Sequence, residues 1–239
     1  MTTVAPNFSE LAGVLTGKSV FVVAFGTSLR DFDWSLLKDK YTICVNGAIA
    51  HVPEASFHIF SDKALLNKYK NIDYPKHTML VCQQYTADLI MNMKDYNVSK
   101  DRVYSFRRKA SHVLNKIKPD DGCLYMSRTV ATPATMLAWK LGADPIYIMG
   151  HDAYDLKGVT YADGAVQKKQ KKDTIKDLEE GRILRQKHVI WGKQNEKLKK
   201  WFKNHGSTTK IYNLSEHSTV TAWEKKSVDE VFGKVTNET

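Results

Sequence analysis

Long apolar runs are missing from this chain. No stretch approaches the roughly 18 uninterrupted apolar residues that a membrane-spanning helix needs, and the N-terminal MTTVAPNFSELAG has neither the basic start nor the apolar core of a secretory signal. Cysteine is scarce and scattered, at Cys44, Cys82 and Cys123, which favours a reducing compartment over a disulfide scaffold. A cytoplasmic protein is therefore expected. The Walker lysine and the three-glycine dinucleotide fingerprint are both absent. No internal repeat or low-complexity linker divides the first half, and 239 residues do not require two full domains, so residues 1–239 are read as one.

Acidic side chains are also in deficit. Lys and Arg number 36 against 26 Asp and Glu, a formal charge of +10 that draws anions such as nucleic acid, sugar nucleotides or acidic membrane to the surface. Much of the excess is local. Lys168, Lys169, Lys171 and Lys172 form one run, Arg182, Arg185 and Lys187 the next, and Lys197, Lys199, Lys200 and Lys203 another. A solvated helical face accounts for any single run; their clustering makes an extended polyanion worth considering.

The stretch Val20–Asn46 organises the rest: an apolar run VFVVAF, the turn Gly26-Thr27-Ser28-Leu29, a charged helical segment over 29–38 and a second strand ending at Asn46-Gly47. A buried strand that passes through a glycine turn into a helix leaves backbone N–H groups at the strand's carboxyl end, where open α/β sheets hold anions. Gly26 permits close backbone approach, and Thr27 and Ser28 offer hydroxyls. An ordinary capped turn has the same local sequence. Further strands are expected at 57–60, 78–82, 102–106, 146–150 and 210–214, with helices at 63–70, 84–94 and 193–203 between them. The last of these carries Leu198, Trp201 and Phe202 inward. Thr132-Pro133 predicts an N-cap and first helical residue, and FHIF closes on Ser61-Asp62. Strand IYIMG runs into His151-Asp152-Ala153-Tyr154, two ionisable groups and a phenol at the active edge of the sheet. Residues 155–190 are polar, glycine-bearing and basic, and are read as a lid or acceptor-binding insertion with a helix near 172–180. The expected fold is α/β: a single open, mostly parallel Rossmann-like sheet flanked by helices, with a basic lid segment.

VFVVAFGTSLRDFD, ICVNGA, FSD and TPATMLAWKLGADPIYIMGHDAY together resemble a superfamily that includes bacterial sialyltransferases and proteins of pterin-pyrophosphokinase function. Its members share a Gly-x-Gly-Pro-Ser-Leu turn, a strand ending in Cys-Asn, a small-residue helix ending in Leu-Gly and a strand ending in Gly-x-Asp. This chain departs at Ala24 and Thr27, which replace the first glycine and the proline. More narrowly, its basic composition is similar to that of the arabinosyl- and glycosyltransferases with which T-even-like phages decorate 5-hydroxymethylcytosine in DNA. That setting implies the infected host's cytoplasm.

The resemblance implies transfer of a sugar, arabinose among the candidates, from a nucleoside diphosphate sugar to 5-hydroxymethylcytosine in phage DNA. Donor contacts would come from Gly26, Thr27, Ser28, Asn46, Asp62, Thr129 and Thr132. His188 matches the family's general base, an imidazole with a pKa suited to the task, with Asp152 and Tyr154 beside the reacting centre. Lys168, Lys169, Lys171, Lys172, Arg182 and Arg185 would meet the nucleic acid. No residue is assigned to a metal, and magnesium dependence stays open, since lysine, arginine and helix N-termini can carry the departing diphosphate's charge. Sialyltransferase-like transfer to a surface glycan, a pyrophosphokinase and a non-catalytic nucleic-acid-binding protein are the competing classes.

Overall fold

Among the described residues, nine parallel strands form one open sheet in the order β6-β5-β4-β3-β2-β1-β7-β8-β9. The computed structural model describes residues 3–52, 54–109, 111–125, 129–152, 182–216 and 218–233. The strands are β1 Val20–Val23, β2 Tyr41–Val45, β3 Phe57–Phe60, β4 Met79–Gln83, β5 Val103–Lys109, β6 Cys123–Tyr125, β7 Ile146–Met149, β8 Ile211–Asn213 and β9 Glu224–Lys225. The α-helices are α1 Leu66–Tyr69, α2 Gln84–Asn92, α3 Ala131–Lys140, α4 Arg182–Asn204 and α5 Val228–Phe232.

Strand β1 is apolar and buried at every position because both of its faces are covered, as in parallel sheets generally. Val20 and Val22 of β1 join Ile146 and Ile148 of β7 in a core closed by Leu137 of α3 and by Leu198, Trp201 and Phe202 of α4. Phe21, Val23 and Met149 point the other way, into a second core with Tyr69 of α1 and Ala87 and Ile90 of α2. Trp223 ties α4 to the sheet edge by donating from its indole N–H to Asn195 at 3.0 Å. All three cysteines are buried and free. Among the described residues, no helix is long and apolar enough to cross a membrane.

The open parallel α/β sheet and most of the expected elements are observed, with several corrections. The helix expected over 29–38 is replaced by two short 3-10 turns, Thr27–Leu29 and Trp34–Leu37. Its continuation is interrupted by Asp33, whose carboxylate takes the Ser35 N–H at 3.0 Å and the Ser35 hydroxyl at 2.7 Å, a local bond that competes with helical pairing. The strand expected at 102–106 runs on through Arg107, Arg108 and Lys109, which pair with Cys123, Leu124 and Tyr125 of β6. Thr132 is not the cap of α3. The helix begins at Ala131, two residues before the expected Pro133, and the Thr129 hydroxyl accepts from Ala131 N at 3.3 Å, placing Thr132 and Pro133 inside the first turn. Residues 182–190, expected at the end of the lid, form the first turns of α4, while the rest of the lid and its helix near 172–180 lie outside the described residues.

Candidate functional site

The chain leaves β1 toward β2 and proceeds strand by strand to β6, then returns through α3 to β7 on the opposite side of β1. Open parallel sheets hold ligands at such a reversal, in the crevice beyond the carboxyl ends of the two diverging strands. Beyond the carboxyl ends at this reversal stand Gly26, Thr27 and Ser28 after β1, Gly150, His151 and Asp152 after β7, and Asn46 after β2. The ladder continues there, with Ala24 N donating to Met149 O at 2.8 Å and Gly26 N to Gly150 O at 2.9 Å.

Asp152 is buried, 3% exposed. Its carboxylate accepts from the Ser28 N–H at 2.8 Å, the Ser28 hydroxyl at 2.5 Å and the Thr27 hydroxyl at 3.3 Å. The Ser28 hydroxyl also lies 3.3 Å from that of Ser215, just past β8. The Ser28 amide expected to face a ligand is thus engaged by the chain's own anion, and the three-residue 3-10 turn it belongs to is too short to align a helix dipole. At an effective dielectric near 20, a second unit charge about 4 Å from a carboxylate is opposed by roughly 4 kcal/mol. Gly26 owes its identity to the same packing. Its φ is an ordinary −80°, but an added Cβ would stand 2.4 Å from Gly150 O and 2.5 Å from an Asp152 carboxylate oxygen.

Asn46 adopts a left-handed conformation, φ 51°, which asparagine tolerates better than most residues. Its side-chain oxygen is buried without a hydrogen-bond partner. The turn is held from beneath by His58 of β3, whose Nε2 is 3.0 Å from Asn46 O and whose Nδ1 is 2.9 Å from the Tyr74 hydroxyl. These partners fix the tautomer: Nε2–H donates to the carbonyl, and Nδ1 accepts from the phenol. Burial lowers the His58 pKa from 6.5 to about 3, so the ring is neutral. The His51 ring lies 4.8 Å from Phe25 and 5.0 Å from Trp34, stacked with both.

The remaining assignments divide. Asp62 is exposed and caps the turn after β3 by accepting from Ala64 N at 2.9 Å. Thr132 is fully buried, whereas Thr129 is half-buried at the start of α3. His188, Arg182 and Arg185 lie on the first turns of α4, whose backbone alone is described there. Tyr154, Lys168, Lys169, Lys171 and Lys172 lie outside the described residues. Lys193, Lys197, Lys199, Lys200 and Lys203 are exposed on α4, and Arg107 and Arg108 are exposed at the carboxyl end of β5, on the same edge of the sheet as the crevice.

Two features that stand in the sequence are given no role in the reading above. His151 stands there only as a neighbour of Asp152, although a histidine directly after a buried strand is a signal in itself. Asp31-Phe32-Asp33 has the acid-x-acid spacing of metal-binding pairs, but the Asp33 carboxylate serves the Ser35 cap instead. Among the described residues, no group of three or more His, Cys, Asp or Glu side chains is arranged to hold a metal ion. No protein-family model matches the chain, and no curated protein matches it in sequence. The sheet is an open, parallel one of the Rossmann-like α/β type.

Proposed function

We propose that the protein is a glycosyltransferase that moves a sugar from a nucleoside diphosphate sugar to the hydroxymethyl group of 5-hydroxymethylcytosine in DNA. The observation that carries this reading is the meeting of Ser28, Asp152 and Ser215 from three adjacent strand ends at one topological reversal, with Asn46 at the end of the next strand. Ser28 and Asn46 line the donor, with Thr129 at the start of α3, where the half-buried hydroxyl is better placed than the buried Thr132. Asp62 stands further along the same edge.

In the transfer, the acceptor oxygen bonds to the anomeric carbon as that carbon's bond to the diphosphate breaks. The electron pair leaves with the diphosphate, and the acceptor's proton passes to a base. His188 is assigned that role, with Tyr154 beside the reacting centre. Asp152, already accepting three hydrogen bonds, is better suited to fixing the turn and accepting from substrate hydroxyls than to removing a proton. A DNA acceptor is supported by the exposed lysines of α4 and by Arg107 and Arg108 on the crevice edge, which provide the electrostatic footing that a polyanion requires. Its target base must leave the stack to present the hydroxymethyl group. Incubation of the protein with labelled nucleotide sugars and with DNA containing cytosine or 5-hydroxymethylcytosine tests the reading: transfer to the modified DNA alone supports it, and transfer to neither overturns it.

A further inference from the structure

We propose that the carboxyl ends of β2, β1 and β7 receive the uncharged, hydroxyl-bearing part of a ligand rather than its diphosphate, and that His151 reads those hydroxyls as a donor–acceptor pair. This rests on the nucleotide-sugar reading above and adds to it which part of the donor the reversal point holds.

His151 follows β7 directly and is 3% exposed, yet neither of its ring nitrogens has a hydrogen-bond partner. Buried polar groups are nearly always paired. Its main chain helps to hold it there, the carbonyl accepting from the Ser218 hydroxyl at 2.8 Å. The neighbouring indole of Trp191 on α4 is 6.2 Å away, ring to ring, and supplies shape. Burial lowers the His151 pKa from 6.5 to about 4, so the ring is an uncharged imidazole with one N–H donor and one bare nitrogen acceptor.

Two strands away, the Asn46 side-chain oxygen is a second buried acceptor without a partner. The Asp152 carboxylate is bonded to Ser28, which follows β1, the strand between β2 and β7. This inventory of two unpaired acceptors, one donor and a carboxylate is the complement of a polyol, whose hydroxyls both donate and accept. It is the opposite of what a diphosphate needs, because phosphate oxygens at neutral pH only accept and would face Asp152 at close range. The hydroxyls available on such a donor are those of the transferred sugar and those of the ribose.

The test is calorimetric titration of the whole protein, wild type, His151→Leu and Asp152→Asn, with the nucleotide sugar that the wild type accepts, the matching nucleoside diphosphate and inorganic pyrophosphate. Thermal melts identify any variant that fails to fold, and His151→Gln, which keeps a donor and an acceptor, serves as the second variant. His151→Leu should weaken the nucleotide sugar at least tenfold and leave pyrophosphate within twofold, with His151→Gln recovering most of the loss. If the loss disappears with the nucleoside diphosphate, the transferred sugar is the part held; if it persists, the ribose is. The proposal is overturned if His151→Leu weakens pyrophosphate as much as the nucleotide sugar, if it weakens neither, or if Asp152→Asn strengthens pyrophosphate tenfold. Failure of the wild type to bind any nucleotide sugar would instead remove the transferase reading on which the proposal stands.

Discussion

Acidification from about pH 7.5 to pH 5 should destabilise this protein markedly, because two imidazoles are buried in their neutral form. Burial lowers His58 to about 3 and His151 to about 4, against 6.5 for the exposed ring. The unfolded chain therefore binds more protons than the native one between those values. The stability contributed by the neutral rings is complete above about pH 6.5 and is lost as pH falls toward the folded values. At pH 5 the unfolded ring lies about 1.5 units below its own pKa, which at 1.36 kcal/mol per unit is about 2 kcal/mol for each histidine, or about 4 kcal/mol together. That is a large share of the roughly 5–15 kcal/mol by which domains are stable. Urea titrations near pH 7.5 and pH 5 measure it directly. His58→Gln, which can still donate to Asn46 O, should lower the pH-dependent loss by about 2 kcal/mol whatever it does to stability at neutral pH. Equal wild-type stability at the two pH values, or an undiminished loss in His58→Gln, would refute the burial argument.

Two further outcomes follow from named residues. Gly26→Val should destabilise the fold by about 1–3 kcal/mol through overpacking against Gly150 O and the Asp152 carboxylate, seen as a lowered melting temperature even without ligand; an unchanged melt would mean that the turn relaxes freely. Charge reversal at Lys193, Lys197 and Lys200 should weaken DNA binding far more than donor binding and flatten its salt dependence by about 0.9 log units for each phosphate that is no longer neutralised, and identical salt slopes would reduce the α4 lysines to a solvated face.

The sheet is legible in the sequence because parallel strands buried on both faces are short apolar runs bounded by turn residues, as in Phe57–Phe60, whose limits can be read directly. The edges are not. Cys123–Tyr125 and Glu224–Lys225 are too short for a periodic signal, and the second is wholly exposed. The helix expected over 29–38 fails because apolar spacing says nothing about an aspartate taking a backbone N–H two residues on. At the site, the positions of Gly26, Ser28, Asn46 and Asp152 are readable from strand ends. What is not readable is that the turn's donors are spent on Asp152 across 124 residues of chain, since that pairing exists only once β1 and β7 are neighbours. His151 is hidden for a similar reason: a lack of partners is a property of the packed structure.

The most direct test of the central claim is the mass of the product. The protein should be incubated with individual nucleoside diphosphate sugars and a duplex carrying 5-hydroxymethylcytosine, with an otherwise identical cytosine duplex as control, and the DNA digested to nucleosides. The account predicts that one donor adds a single sugar mass to 5-hydroxymethyl-deoxycytidine, that the cytosine duplex is unchanged, and that Asp152→Asn reduces the yield. Unmodified nucleosides from every donor, with nucleotide sugar bound but no bond formed, would contradict it.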